Sequence, residues 1–81
     1  MHNRQRIGDL RNKEVIDVCD GRRLGTVNDY ELDIENGKLT SIVVPRGSGF
    51  GFWKQDDIVI PWGNIKKIGE DIIIVDTGRG I

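Results

Sequence analysis

Few residue types in this 81-residue chain are spaced for chemistry. The most suggestive stretch is Arg46-Gly-Ser-Gly-Phe-Gly-Phe-Trp53, in which glycines alternate with polar and aromatic side chains. Aromatics supply large contact areas at low entropy cost and are enriched where partners bind, and alternate glycines let such a loop adapt its shape. Arg46, Phe50, Phe52 and Trp53 are therefore the candidate partner-binding residues. The competing account has Trp53 and Trp62 closing the ends of the core, with Phe50 and Phe52 folded over them. A phosphate-binding loop is a poor fit, because no helix-forming segment follows Gly47, Gly49 and Gly51 to offer its N-terminus to an anion.

Two other sets have the right chemistry and the wrong placement. Asp29, Glu31, Asp33 and Glu35 alternate along one segment, but same-face carboxylates on a strand stand nearly 7 Å apart, about twice the 3.3–3.4 Å rise per residue, too far to share one cation unaided. They read as a solvated outer face. His2 and Cys19 are the single histidine and cysteine, and they form neither a nucleophile–base pair nor a zinc spacing. Cys19 is expected to be a small packing residue. With no paired acid and base and no activated nucleophile, the expectation is a protein that is not an enzyme, with no catalytic residue, metal or cofactor.

The elements that must carry these residues are strands. Asp20-Gly21 and Asn36-Gly37 favour the positive φ of tight hairpin turns, and each lies between β-branched runs. Strands are predicted near 14–19, 24–34, 39–44, 57–60, 65–68 and 71–75. The first three would form a meander, and six strands suit a small, nearly closed antiparallel barrel or roll better than an open sheet. Tyr30, Leu32 and Ile34 share one face of the second strand, and a β-bulge near Asn28-Asp29 would bring Val27 to that same inner face. Helix is limited to single turns. Asp9 would cap one at 7–13, with Ile7 and Leu10 packed on the barrel, and Trp62-Gly-Asn-Ile65 would form a 3₁₀ turn.

Length and charge bound the rest. One domain over 1–81 is expected, with 1–6 flexible and 77–81 a tail, because a chain this short buries only about 60–65% of its extended surface. With 12 Lys+Arg against 13 Asp+Glu, the charge footprint of a dedicated nucleic-acid binder is missing. The charges are nonetheless unevenly spread, basic in 1–23 and acidic in 29–35, which favours partner or head-to-tail contacts. A lone cysteine, a polar start and the lack of a run of about 20 apolar residues predict a cytoplasmic protein without a membrane span.

Gly8-Asp-Leu-Arg-Asn-Lys-Glu-Val-Ile16, Asp20-Gly-Arg-Arg-Leu-Gly-Thr-Val-Asn-Asp29 and Ile60-Pro-Trp-Gly-Asn-Ile65, in that order, resemble the PRC-barrel family. The C-terminal third, from Ile60-Pro-Trp62 through Ile72-Ile-Ile-Val-Asp76, is similar to its short stand-alone YlmC/YmxH-type members, which are associated with sporulation. The resemblance implies a six-stranded β-barrel used as an adaptor or assembly module, with no catalytic residue to carry over. Gly21, Gly25, Asp29 and Pro61 then read as fold-determining positions. Strands apolar at both parities, Ile42-Val-Val44, Ile58-Val-Ile60 and Ile72-Ile-Ile-Val75, leave aliphatic side chains outside a small barrel and predict self-association, to a homodimer or larger. The expected function is thus a homo-oligomeric protein-interaction module with an additional, unidentified protein partner. The alternative is an RNA- or ribosome-associated factor, similar to the RimM PRC-barrel domain, that sets Arg4, Arg6, Arg11, Arg22 and Arg23 against phosphates.

Overall fold

The computed structural model describes residues 6–45 and 57–78. Within them the β-branched runs become β1 (Glu14–Asp17), β2 (Arg22–Thr26), β3 (Asp29–Asp33), β4 (Lys38–Pro45), β5 (Asp57–Pro61), β6 (Ile65–Ile68) and β7 (Ile72–Val75). One helical turn, α1 (Ile7–Leu10), precedes them, and a 3₁₀ turn at Trp62–Asn64 links β5 to β6. The all-β barrel class expected from the sequence is the class observed.

The strand count differs for one local reason. The predicted strand over 24–34 divides at Val27-Asn28, where the chain leaves a four-stranded sheet ordered β2-β1-β7-β6 and enters a three-stranded sheet ordered β3-β4-β5. There is accordingly no meander through the first three strands. Val27 is buried, as expected, but a change of sheet puts it there rather than a bulge. Its amide donates to the Lys13 carbonyl at 3.1 Å, and the Asn28 amide donates to the Val43 carbonyl at 2.9 Å, so the crossing is bonded to both sheets. Extra residues in the ladders occur elsewhere, where β1–β2, β3–β4 and β6–β7 each slip register once. Such bulges bend a strand and increase its twist, which helps short sheets wrap a core.

The pairing also includes one parallel contact that sequence patterning did not suggest. β1 runs parallel to β7, with Glu14 beside Ile72 and Asp17 beside Val75, while the other strand pairs are antiparallel. This joins the β1–β2 and β6–β7 pairs at the centre of the four-stranded sheet. Inward positions Val15, Val27, Ile42, Val44, Ile58, Ile60, Ile73 and Val75 join Leu10 of α1 in one core. Where β2 approaches β4, Gly25 has φ +134° and an added Cβ would stand 3.0 Å from Val44 Cγ1. A side chain there would be strained by the positive φ and would crowd Val44, which fits the fold-determining reading of Gly25.

The hydrophobic positions at strand ends depart from the pattern. Tyr30 is half-buried against the core, but Leu32, near the end of β3, is 56% exposed and Ile34, just past it, 85%. Leu10 is buried, whereas Ile7 stays largely exposed. Asp9 does cap α1, from the third helical position, by accepting the Arg6 amide at 3.1 Å.

Candidate functional site

Arg46, Phe50, Phe52 and Trp53 lie outside the described residues. Trp62 is described, and as the first residue of the 3₁₀ turn it is 37% exposed and not buried in the core as a plug would be. Asp29 and Glu31 form an exposed acidic edge along β3, while Glu35 belongs to the following loop. Cys19 is exposed, not packed, because it sits at the tip of the β1–β2 hairpin. Among the described residues no set of His, Cys, Asp and Glu side chains is gathered to hold a metal ion.

Asp17, which sequence reasoning passed over, is the one buried carboxylate among the described residues. It shares the inward parity of Val15 and is 3% exposed at the end of β1. Its Oδ1 accepts the amides of Cys19 at 3.0 Å and Thr77 at 3.2 Å, and its Oδ2 accepts the Thr77 hydroxyl. Burial by itself would raise this carboxyl, but the Thr77 hydroxyl, the two amides and the Arg22 charge outweigh it and hold Asp17 below its ordinary value. A carboxylate so held is a structural anion, not a general acid. The available signal was a repeat, since Asp17-Val-Cys-Asp-Gly21 and Asp33-Ile-Glu-Asn-Gly37 share an Asp four residues before a turn glycine.

A second missed residue is Lys13, only 7% exposed. Its ammonium donates to the Gly69 carbonyl at 2.7 Å and to the Glu70 carbonyl, so it braces the β6–β7 turn against the start of β1. Beside it opens a cleft of about 410 Å³ lined by Asp9, Arg11, Glu14, Glu70 and Asp71 as well as Lys13. Burial raises the Tyr30 phenol, with Arg11 opposing and Asp29 adding to the rise, while its hydroxyl donates to the Ile7 carbonyl at 2.9 Å. These groups tie α1 and the turns to the barrel.

The features that remain are surfaces. On the four-stranded sheet, Ile16, Ile72 and Ile74 face away from the core and are half-buried. On the three-stranded sheet, Val59 faces outward at 45% exposure beside Val43, while Ile58 and Ile60 on the same strand point into the core. The arginines of β2 are engaged locally, Arg23 with Glu14 at 3.2 Å and Arg22 with Asp20 at 3.6 Å.

This arrangement of strands agrees with the comparison to known families. A model described as the PRC-barrel domain matches residues 2–81. The chain belongs to the PRC-barrel family. Among curated relatives, a probable sporulation protein of Bacillus subtilis, YlmC, is 39% identical over 71 residues, covering 85% of this chain and 88% of the relative. YmxH of the same organism is 39% identical over 75 residues, covering 89% and 88%. A protein of Clostridium acetobutylicum is 43% identical over 72 residues, covering 86% and 82%. The relatives' names do not describe enzymes. Among the described residues no helix is long and apolar enough to cross a membrane.

Proposed function

We infer that this PRC-barrel is a non-enzymatic, single-domain interaction module of the cytoplasm that self-associates and serves an assembly connected with sporulation. The observation that carries it is the aliphatic surface outside a core already filled, with Ile16, Ile72 and Ile74 on one sheet and Val59 on the other. Apolar side chains grouped on a small barrel gain free energy when a partner covers them, roughly 25 cal/mol per Å² removed from water. The sporulation setting rests on the name of the YlmC relative. In this reading Arg46, Phe50, Phe52 and Trp53 contact the second, protein partner.

Multi-angle light scattering across a concentration series tests the self-association. A dimer or larger species is expected, and the mass of one chain at all micromolar concentrations would remove it. Capture of partners with the native chain and with F50S/F52S tests the loop, whose substitution should release the partner. Salt-sensitive RNA binding that survives F50S/F52S would instead favour the RNA-associated alternative.

A further inference from the structure

A surface lysine normally carries its ammonium out to water and lays only its stem against the protein. Lys13 does the reverse, since the residue is 7% exposed and its Nζ is turned to the carbonyls of Gly69, at 2.7 Å, and Glu70. Among the described residues this ammonium has no carboxylate partner. A buried charge is costly unless it is hydrogen-bonded, so the two carbonyls are what make its position tenable. The next carbonyl along the turn, that of Asp71, accepts the Glu14 amide at 3.0 Å. The β6–β7 turn thus offers a run of consecutive acceptors to the start of β1, which suits a cation that has N–H donors and no acceptor of its own.

We propose that the carbonyls of Gly69 and Glu70 form a binding site for a primary ammonium group, which the chain fills from within by Lys13. The side chain is held there by its charged head and not by the packing of its stem. The backbone of Lys13 is fixed independently, because its amide donates to the Leu10 carbonyl at 3.2 Å and its carbonyl accepts the Val27 amide at 3.1 Å. Shortening the side chain therefore leaves α1, the start of β1 and the sheet crossing bonded to one another. The site also has a route to solvent, since Lys13, Glu70 and Asp71 line the cleft of about 410 Å³. Without the Lys13 ammonium, that lining keeps Asp9, Glu14, Glu70 and Asp71 against Arg11, and even with Glu14 engaged by Arg23 the balance favours an entering cation. None of this depends on self-association.

Chemical rescue decides it. Lys13→Ala deletes everything past Cβ, which amounts to the heavy atoms of propylammonium. Its melting temperature is followed by circular dichroism in rising propylammonium chloride, against tetramethylammonium chloride at the same concentration, a cation of equal charge with no N–H to donate. K13A is expected to melt below the native chain and to regain at least about half of the lost melting temperature in propylammonium, saturably, because a ligand bound only by the folded state stabilises it with rising concentration. Tetramethylammonium is expected to give none of that recovery, and the native chain, whose site is filled, to respond alike to both salts. K13M keeps an unbranched stem without the charge and is expected to melt low as well. Should K13A be unfolded at the starting temperature, the same two salts are compared by recovery of the folded spectrum. A K13M chain as stable as the native one, or K13A recovering equally in both salts or in neither, would overturn the ammonium site.

Discussion

Asp17-Val-Cys-Asp-Gly21 closes the β1–β2 hairpin and Asp33-Ile-Glu-Asn-Gly37 closes the β3–β4 hairpin along the same backbone course. In each loop the glycine amide donates to the aspartate carbonyl at 2.7 Å, and the glycine takes a left-handed φ, +74° at Gly21 and +67° at Gly37. In each the aspartate Oδ1 accepts the amide two residues on, from Cys19 at 3.0 Å and from Glu35 at 3.1 Å. The second oxygen separates them. Asp33 turns it to Asn36 Nδ2 within its own loop at 2.7 Å, whereas Asp17 turns it to Thr77, sixty residues away and just past β7. One local motif thus acts as a self-contained turn in the first case and as a clamp between the two ends of the chain in the second. What differs is the surroundings, since β1 pairs with β7 and buries its last residue while β3 lies at the edge of its sheet.

Breaking the clamp should have the largest effect. Asp17→Ala leaves the amides of Cys19 and Thr77 and the Thr77 hydroxyl without their shared acceptor, and should lower stability by about 3 kcal/mol in denaturant titration. Thr77→Val removes one donor to a charged group and should cost about 1.5 kcal/mol. The glycines sharpen the comparison from the other side. Gly21→Ala and Gly37→Ala meet open space but force alanine into a left-handed φ, so each should cost about 1 kcal/mol, equally in the two loops. Asp33→Ala should produce the smallest change in melting temperature of the set, because its bonds stay within one surface loop.

Acid titration provides an independent check. The folded-state value of Asp17 lies below the ordinary 3.8, so its contribution is complete well above that value and is lost as pH falls through the folded one. Asp33 is also held low, chiefly by the Asn36 side chain, and acts with the same sign. Stability should therefore fall on acidification below about pH 4. Asp17→Asn should flatten that slope, and Asp33→Asn should flatten it less. An equal effect of the two substitutions would sink the distinction between clamp and turn.

Much of the scaffold was legible because its signals are local. Alternation at Ile58-Val-Ile60, the runs Ile65–Ile68 and Ile72–Val75, the turn glycines 21 and 37 and the 3₁₀ turn after Pro61 all depend on a few consecutive residues. Leu32 and Ile34 show where alternation misleads, since periodicity specifies a face but not how far the barrel extends beneath it. The divided strand at Val27-Asn28 was missed because extended backbone looks the same whether it continues in one sheet or crosses to another.

Residue by residue, then, the chain determined by itself its strands, its tight turns and the sign of charge on each edge strand, all short-range properties of backbone preference and side-chain type. Only the tertiary structure decided that β1 lies parallel to β7, that Asp17 is a buried anion while Asp33 is not, and that Lys13 braces a turn 56 residues on. Those outcomes depend on contacts between segments far apart in the chain, whose pairing is settled by burying one shared core and not by any sequence neighbour.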